Sequence, residues 1–143
     1  MIAIDTSALI AIAAGEAKGK NCAVKLSGET AILSAGTMAE ALIVANARGI
    51  AVALNLLLER PNIEIVPVTA ASARRAADAY AKWAKGVHRA KLNYGDCFAY
   101  ELAMSRACPL LYIGNDFSKT DVKSVLQRFT HAAPWPSACA CRA

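Results

Sequence analysis

Short apolar segments that alternate with longer segments of helical periodicity most constrain the fold of this chain. Each apolar segment is bounded by turn-forming residues and is too short for a helix, which is typical of a buried strand. They predict strands over residues 2–5, 30–34, 63–66 and 110–113. The remaining segments predict helices over residues 6–14, 16–27, 37–47, 51–59, 70–85 and 96–107, with a weaker strand near 128–131. Strands separated by helices predict an α/β fold, a three-layer α/β/α sandwich with a central, mostly parallel sheet.

Length and composition indicate one globular domain. The chain has 143 residues, of which 56% are hydrophobic and 19% charged. We expect a single domain over residues 1–131 and a loose tail over 132–143, which contains Pro134 and Pro136. No apolar segment approaches the roughly 20 residues that span a bilayer, and the N-terminus lacks the pattern of a signal peptide. We therefore expect a cytoplasmic protein that does not bind a membrane.

The cysteines do not predict a metal site or disulfides. There are five, an odd number, and no Cys-x-x-Cys spacing occurs. Cys22, Cys97 and Cys108 stand in apolar patterns and are expected to be small buried hydrophobic residues. Cys139 and Cys141 lie in the tail without histidines beside them, and the sequence leaves their role open.

A set of acidic residues stands where strands end or helices begin, and each has a local explanation. The set is Asp5, Glu40, Asp96 and Asp116. Asp5 can cap the helix that begins at Thr6, and Asp116 has the composition of a turn around it. Thr37 and Glu40 have the spacing of a capping box, and Asn93 and Asp96 have the same spacing.

The predicted sheet brings these acids to one edge, which local capping does not explain. The carboxyl ends of parallel strands meet at the same edge, where ligands bind in α/β proteins. Asp5 ends the first strand, Asp116 closely follows the fourth, and the helix with Glu40 follows the second. Asp96 joins them if its helix also begins there. The chain has only eleven Asp and Glu residues, so four at one edge indicate a shared role.

Carboxylates gathered in this way repel one another, and a hard divalent cation removes the conflict. Mg²⁺ and Mn²⁺ prefer oxygen ligands and can activate a bound water or neutralise a phosphate. The sequence therefore predicts an Mg²⁺ or Mn²⁺ site formed by Asp5, Asp96 and Asp116, with Glu40 as a direct or water-mediated ligand. Thr6, Ser7 and Asn115 are candidates to hold waters or phosphate oxygens beside the metal.

A basic segment near residue 85 is a second candidate feature. Four cations lie within ten residues there: Lys82, Lys85, Arg89 and Lys91. The net charge of the chain is +5, which permits a nucleic acid or an acidic protein as a partner. These side chains either contact phosphates of a nucleic acid or form the solvated end of a helix, and the sequence leaves both interpretations open.

Four motifs make the chain similar to a known family. They are IDTSALIAI, MAEALIV, LNYGDCFAYELA and LLYIGNDFSKTDV, and together they extend from residue 1 to about 129. The pattern resembles PIN-domain ribonucleases of the VapC toxin type. This resemblance implies a PIN-like nuclease domain with an Mg²⁺- or Mn²⁺-dependent endoribonuclease activity, and it assigns the acidic set to Asp5, Glu40, Asp96 and Asp116. It also implies a homodimer that is neutralised by a cognate VapB-type antitoxin, and RNA as the substrate. The role of Asp121 is left open.

Two other functions would also place acids at the edge of such a sheet. A non-catalytic PIN-like RNA-binding protein is expected to lack at least one of the four acids, and none is missing. A phospho-acceptor signalling domain also gathers acids around Mg²⁺, but it needs paired acids early in the chain and a lysine after a late strand. Here Asp5 is followed by Thr6, and the late strand leads to Gly114, Asn115 and Asp116.

Overall fold

A four-stranded parallel sheet organises the molecule. The structure is a computed structural model, and it describes residues 1–126. The strands are β1 (Ile2–Ile4), β2 (Ala31–Ser34), β3 (Ile63–Val66) and β4 (Leu110–Leu111), in the order β3-β2-β1-β4. The helices are α1 (Thr6–Ala13), α2 (Ala17–Ser27), α3 (Ala35–Ala47), α4 (Ala51–Leu58), α5 (Ala70–Trp83) and α6 (Asp96–Ser105). A short 3₁₀ helix, Phe117–Lys119, follows β4.

All strand pairs run parallel, so their carboxyl ends lie at one edge of the sheet. In the central strand, Ile2 pairs with Ala31 of β2 and Ala3 pairs with Leu110 of β4. Leu110 also forms a parallel bridge with Ser124, which extends the sheet beyond β4. The segments after β1, β2 and β4 therefore all begin at the same edge, where the predicted acidic residues were expected.

The apolar side chains of the strands alternate between two hydrophobic cores. Ala3, Ile32 and Leu110 pack on one face against residues of α5 and α6 such as Trp83 and Leu102. On the other face a second core joins strand residues to α1, α2, α3 and α4: Ile2, Ile4, Leu33, Leu9, Leu26, Ala45 and Leu54. Because both faces are covered, the strands are almost continuously apolar. The predicted α/β/α sandwich with a parallel sheet is confirmed.

Helix α1 and helix α2 approach each other closely at Gly19. Gly19 is buried, and a β-carbon there would overlap the backbone carbonyl of Ala11. This close approach needs a residue without a side chain, which the sequence supplies inside a predicted helix.

Some predicted boundaries differ from the structure. Helix α3 begins at Ala35 because the Ser34 hydroxyl caps it by accepting from the Gly36 amide at 3.3 Å. The predicted capping box between Thr37 and Glu40 is therefore wrong, since Thr37 lies inside the helix and is fully buried. Strand β4 and helices α5 and α6 each end about two residues earlier than predicted. The strand expected near 128–131 and the tail at 132–143 lie outside the described residues.

Three of the five cysteines lie within the described residues 1–126. Cys22 and Cys97 are buried, Cys108 is partly buried, and all three are free thiols. Cys139 and Cys141 lie outside the described residues. In the part of the chain that the structure describes, no helix has the length and apolar character needed to cross a bilayer.

Candidate active site

An open cleft of about 310 Å³ lies at the carboxyl edge of the sheet. It brings together side chains from the starts of α1 and α6 and from one face of α3. The polar residues that line it are Asp5, Thr6, Ser7, Glu16, Glu40, Arg48, Asn93 and Asp96. Three of the four predicted acids are therefore neighbours in space although they lie far apart in sequence.

Asp5 caps α1 with one carboxylate oxygen and leaves the other unpaired. Its Oδ2 atom accepts hydrogen bonds from the Ser7 amide at 2.9 Å and the Ser7 hydroxyl at 2.5 Å. Ser7 Oγ in turn accepts from the Ile113 amide at 3.0 Å, which fixes the pair against the segment after β4. Asp5 is only 3% exposed, and within residues 1–126 its buried Oδ1 atom has no hydrogen-bond partner. Burial raises the pKa of Asp5, and the bonds from Ser7 oppose that shift.

Glu40 is held over the start of α6. The Thr6 hydroxyl donates to Glu40 Oε2 at 2.7 Å, which links α1 to α3. A β-carbon at Gly95 would overlap the Glu40 carboxylate, so this carboxylate lies directly against the backbone at the start of α6. Residue 95 therefore has to be small for Glu40 to keep its position.

Asp96 forms the reciprocal hydrogen bonds that its spacing to Asn93 predicts. The Asn93 amide donates to Asp96 Oδ2 at 2.7 Å, and the Asp96 amide donates to Asn93 Oδ1 at 2.9 Å. Burial is the main reason that the pKa of Asp96 rises to about 7, and the hydrogen bond from Asn93 opposes the rise. The negative charges of Asp5, Glu40 and Asp116 raise the pKa of Asp96 further, so all three carboxylates lie close enough to act on Asp96.

Asp116 and Asn115 lie beside the cleft rather than in its lining. Asp116 is exposed at the start of the 3₁₀ helix Phe117–Lys119, and its charge still acts on Asp96. Asn115 lines a separate depression with Lys18 and Asn21. Asp121 accepts from the Tyr100 hydroxyl at 2.6 Å and from Lys82 Nζ at 3.2 Å, and it does not line the cleft.

The carboxylates do not converge as a ready-made set of metal ligands. Within residues 1–126, no three His, Cys, Asp or Glu side chains are arranged to hold a metal ion as they stand. Each of the three carboxylates in the cleft has one oxygen bonded to a protein donor: Asp5 to Ser7, Glu40 to Thr6 and Asp96 to Asn93. Each also keeps a second oxygen that receives none of these bonds.

The basic segment lies outside the lining of the cleft: Lys82 is in the last turn of α5, and Lys85, Arg89 and Lys91 are in the loop between α5 and α6. Lys85, Arg89 and Lys91 are exposed. Lys82 is also exposed, but its ammonium group already has partners in the protein. It donates a hydrogen bond to Asp121 and lies 4.4 Å from the centre of the Trp83 ring. The loop is anchored by a bridge between Ala84 and Leu92 and then leads directly to Asn93 in the cleft.

Sequence reasoning missed several residues of the cleft. The sequence marks Asn93 only as a capping residue, and it gives no signal for Arg48. Glu16 and Gly95 were not considered. The spacing of Asn93 and Asp96 could have indicated Asn93. Arg48 and Glu16 line the cleft, and Gly95 lies against Glu40, only because the fold brings distant segments together.

Comparison with known proteins identifies the family. The PIN domain family model matches residues 2–123. VapC ribonuclease Mb0640 of Mycobacterium bovis is 38% identical over 126 residues, which cover 85% of this chain and 96% of that protein. Ribonuclease VapC28 of Mycobacterium tuberculosis is 41% identical over 130 residues, which cover 87% of this chain and 98% of that protein.

Solved structures show the same fold at low sequence identity. VapC20 of Mycobacterium tuberculosis, described as a sarcin-ricin loop cleaving toxin, aligns with a TM-score of 0.73 at 18% identity over 87% of this chain and 98% of that one. A toxin-antitoxin complex from Klebsiella pneumoniae gives a TM-score of 0.64 at 17% identity over 85% and 93% of the two chains. Matched over most of its length by the family model and by relatives near 40% identity, the chain belongs to the PIN-domain family and, within it, to the VapC ribonucleases.

Proposed function

We propose that this protein is a toxin endoribonuclease of a toxin–antitoxin pair and that it cleaves RNA with a divalent cation held in the acidic cleft. The ribonuclease activity follows from its relatives, which are VapC ribonucleases. The observation that carries the proposal for the site is the buried, unpaired Oδ1 atom of Asp5 in a cleft shared with Glu40 and Asp96.

The residues of the cleft fit a hard cation. A buried carboxylate oxygen without a partner costs free energy of the order of 1–3 kcal/mol, more when charged, unless a donor or cation satisfies it. Burial and the charges of the other acids raise the pKa of Asp96, and a bound divalent cation would offset both effects by favouring the charged carboxylate. Mg²⁺ or Mn²⁺ suits this all-oxygen set and would be held by Asp5 and Asp96. Glu40 and Asp116 would bind the cation directly or through a water molecule.

The protein groups in the cleft have distinct roles in this proposal. When bound, the cation supplies a more acidic water and positive charge next to the scissile phosphate. Ser7 orients the Asp5 carboxylate, and Thr6 holds Glu40 in place. Gly95 lets Glu40 lie against the start of α6, where the positive end of the helix dipole favours negative charge. The cleft is open, which suits an extended single strand or loop of RNA.

The proposal is tested by mapping cleavage in cells. A brief pulse of expression, followed by sequencing of RNA 5′ ends, should reveal new ends at defined positions. The matched control is the Asp96→Asn variant expressed to the same level. New ends that are equally abundant with both proteins would mean that this cleft does not cleave RNA.

The basic segment is proposed to contact RNA phosphates on the way into the cleft. Replacing Lys85, Arg89 and Lys91 with alanine should weaken RNA binding and reduce the slope of log Kd against log salt by up to about 2, because fewer counterions are released. The fold should persist, since all three side chains are exposed. Binding of a labelled RNA over a range of salt concentrations measures this.

The control for the basic segment is a triple alanine variant of exposed cations elsewhere, at Lys20, Lys25 and Arg74. It changes net charge equally but should leave the salt slope nearly unchanged. Equal slopes for the two triple variants would show that the segment is only a solvated surface.

A VapB-type antitoxin is proposed to neutralise the protein, and a homodimer is proposed as its state. Apolar side chains that a monomer would leave in water support both: Val24, Ile43, Val52 and Leu56 are each at least 65% exposed. An apolar groove of about 240 Å³ runs between α1 and α4, lined by residues such as Ile12, Ala53 and Leu56. Apolar anchors of the partner would dock there, while one of its cations would reach the carboxylates of the cleft.

Co-expression with the product of the neighbouring gene tests the partner. We expect restored growth, together with weaker binding of Mn²⁺ by the purified complex than by the free protein, because a cation in the cleft competes for the same negative charge. A partner that restores growth and leaves both Mn²⁺ binding and RNA cleavage unchanged would contradict this arrangement.

A further inference from the structure

The cleft contains one feature that its proposed metal chemistry does not use, which is a cation at its rim. Among the described residues that line the cleft there are four carboxylates, Asp5, Glu16, Glu40 and Asp96, and one basic side chain, Arg48. An RNA strand entering such a cleft is repelled by the acids, and a metal ion at Asp5 and Asp96 would neutralise only the region near the scissile phosphate. A second positive group further along the strand would offset the remaining repulsion.

Helix α3 places Arg48 in line with Glu40. Glu40, Val44 and Arg48 follow one another at intervals of four residues, and all three line the cleft. Arg48 comes eight positions after Glu40, which corresponds to a rise of about 12 Å along the helix axis. Arg48 caps the end of α3, where the terminal carbonyls favour a cation. One face of α3 thus carries an acid at the proposed catalytic end of the cleft and an arginine at the other end.

The partner of Arg48 holds it only weakly. Arg48 Nη1 lies 3.3 Å from Glu16 Oε1, and the two side chains are 54% and 49% exposed. Exposed pairs of this kind contribute only about 0–1 kcal/mol. The pair between Arg75 and Glu101 is different, since its N–O distance is 2.7 Å and Glu101 is only 7% exposed. The guanidinium of Arg48 can therefore exchange Glu16 for another anion at little cost.

We propose that Arg48 binds a phosphate of the RNA strand at a position removed from the scissile bond, and that Glu16 holds this guanidinium until RNA displaces it. Arginine suits this task because its planar group can bond two phosphate oxygens at once. The inference rests on the proposed ribonuclease function and makes Arg48 a positioning residue. It also makes Glu16 a competitor for substrate.

The two members of the pair should then have opposite effects on RNA binding. Affinity is measured by fluorescence anisotropy of a short labelled single-stranded RNA, with every protein in the Asp96→Asn background so that the probe stays intact. Arg48→Ala should weaken binding about tenfold and reduce the salt slope by about 0.7, the value for one phosphate contact with a single strand. Glu16→Gln should tighten binding by roughly twofold or more, because it removes a competing and repelling acid. Arg48→Lys should bind RNA more tightly than Arg48→Ala but less tightly than the protein that keeps Arg48.

A purely structural pair predicts a different pattern. Both Arg48→Ala and Glu16→Gln would then lower the melting temperature and leave RNA affinity equal to that of the background protein. Arg74→Ala is the control for loss of one exposed arginine, as Arg74 lies on α5 across the sheet from α3. An Arg48→Ala affinity and salt slope that match those of the Arg74→Ala control would overturn the role of Arg48. The proposed ribonuclease function would still hold in that case, provided that the native protein cleaves RNA in the same preparation. A native protein that neither binds nor cleaves RNA would instead contradict the proposed function itself.

Discussion

Replacing Asp96 with asparagine is expected to reduce RNA cleavage by roughly 100- to 1,000-fold, because the variant would lose a ligand of the cation that stabilises charge in the transition state. Asparagine has nearly the same shape and can still accept the hydrogen bond that the Asn93 amide donates to residue 96. The substitution therefore separates the local capping role of Asp96 from its charge. Cleavage of a labelled RNA at saturating Mg²⁺ measures the effect. A variant that is folded and cleaves at the native rate would show that Asp96 is only a capping residue.

The same substitution should increase the stability of the metal-free protein, although it decreases cleavage. The pKa of Asp96 is raised to about 7, so the folded protein keeps this proton at pH values where the unfolded chain has lost it. The resulting cost to stability is absent below about pH 4, grows between pH 4 and pH 7, and is fully present above pH 7. Asp96→Asn should therefore raise the stability of the metal-free protein by about 1 kcal/mol near pH 8, a value reduced for solvent screening, and by almost nothing near pH 4. Thermal melting in EDTA at the two pH values measures this.

The largest effect on stability is expected from Gly19→Ala. The new β-carbon would overlap the backbone carbonyl of Ala11, and a backbone group cannot move aside as a side chain can. Overpacking of this kind costs about 3 kcal/mol, more than the roughly 1 kcal/mol that alanine gains over glycine inside a helix. Separation of α1 from α2 would also disturb Asp5, Thr6 and Ser7 at the start of α1. We expect a melting temperature lower by about 5–10 °C and weaker cleavage.

Gly28→Ala is the matched control for Gly19→Ala. Gly28 follows the same helix, and a β-carbon there would have Lys25 O as its nearest neighbour, at 3.9 Å. Its backbone φ of −95° suits any residue, so the change should be within about 0.5 kcal/mol. Equal melting temperatures for the two variants would show that α1 and α2 do not approach as closely as described.

Much of the fold could be predicted because local and global signals agree. Ile2 to Ile4 are apolar, β-forming in part and followed by a capping aspartate, so strand, turn and helix are each indicated by neighbouring residues. The start of α3 shows where this reasoning fails. Two residues, Ser34 and Thr37, can both cap a helix, and the choice of Ser34 depends on Thr37 being buried in the packed helix.

The acids of the cleft were predictable because the rule for parallel sheets concerns only where strands end. Asp5 ends β1 and Glu40 lies on the helix after β2, so both follow that rule and meet in the cleft. Asp96 joins them from the start of α6, which follows a loop, whereas Asp116 after β4 lies beside the cleft. Gly95 and Arg48 did not stand out, since their importance comes from contacts with Glu40 and Glu16 across the fold. A single sequence does not reveal such distances.

Capping and the proposed metal binding are compatible roles for Asp5. One oxygen caps α1 through Ser7, while the other is buried, unpaired in the described part of the chain and next to the cleft. The capping bonds fix the orientation of the carboxylate and so prepare the second oxygen for a ligand. Glu40 and Asp96, which are only partly buried, also each keep a second oxygen that does not receive the bond from Thr6 or from Asn93.

Binding of a divalent cation by Asp5 is the central claim, and a titration tests it most directly. Native protein and the Asp5→Asn variant are freed of metal with EDTA and then titrated with Mn²⁺ in a calorimeter, while RNA cleavage is followed as Mg²⁺ is restored. Asparagine caps helices as well as aspartate does, so the variant should fold. We predict that the native protein binds Mn²⁺ and regains cleavage only with the cation, and that Asp5→Asn loses both. Equal Mn²⁺ binding by the two proteins, or full cleavage by the native protein in excess EDTA, would contradict the account.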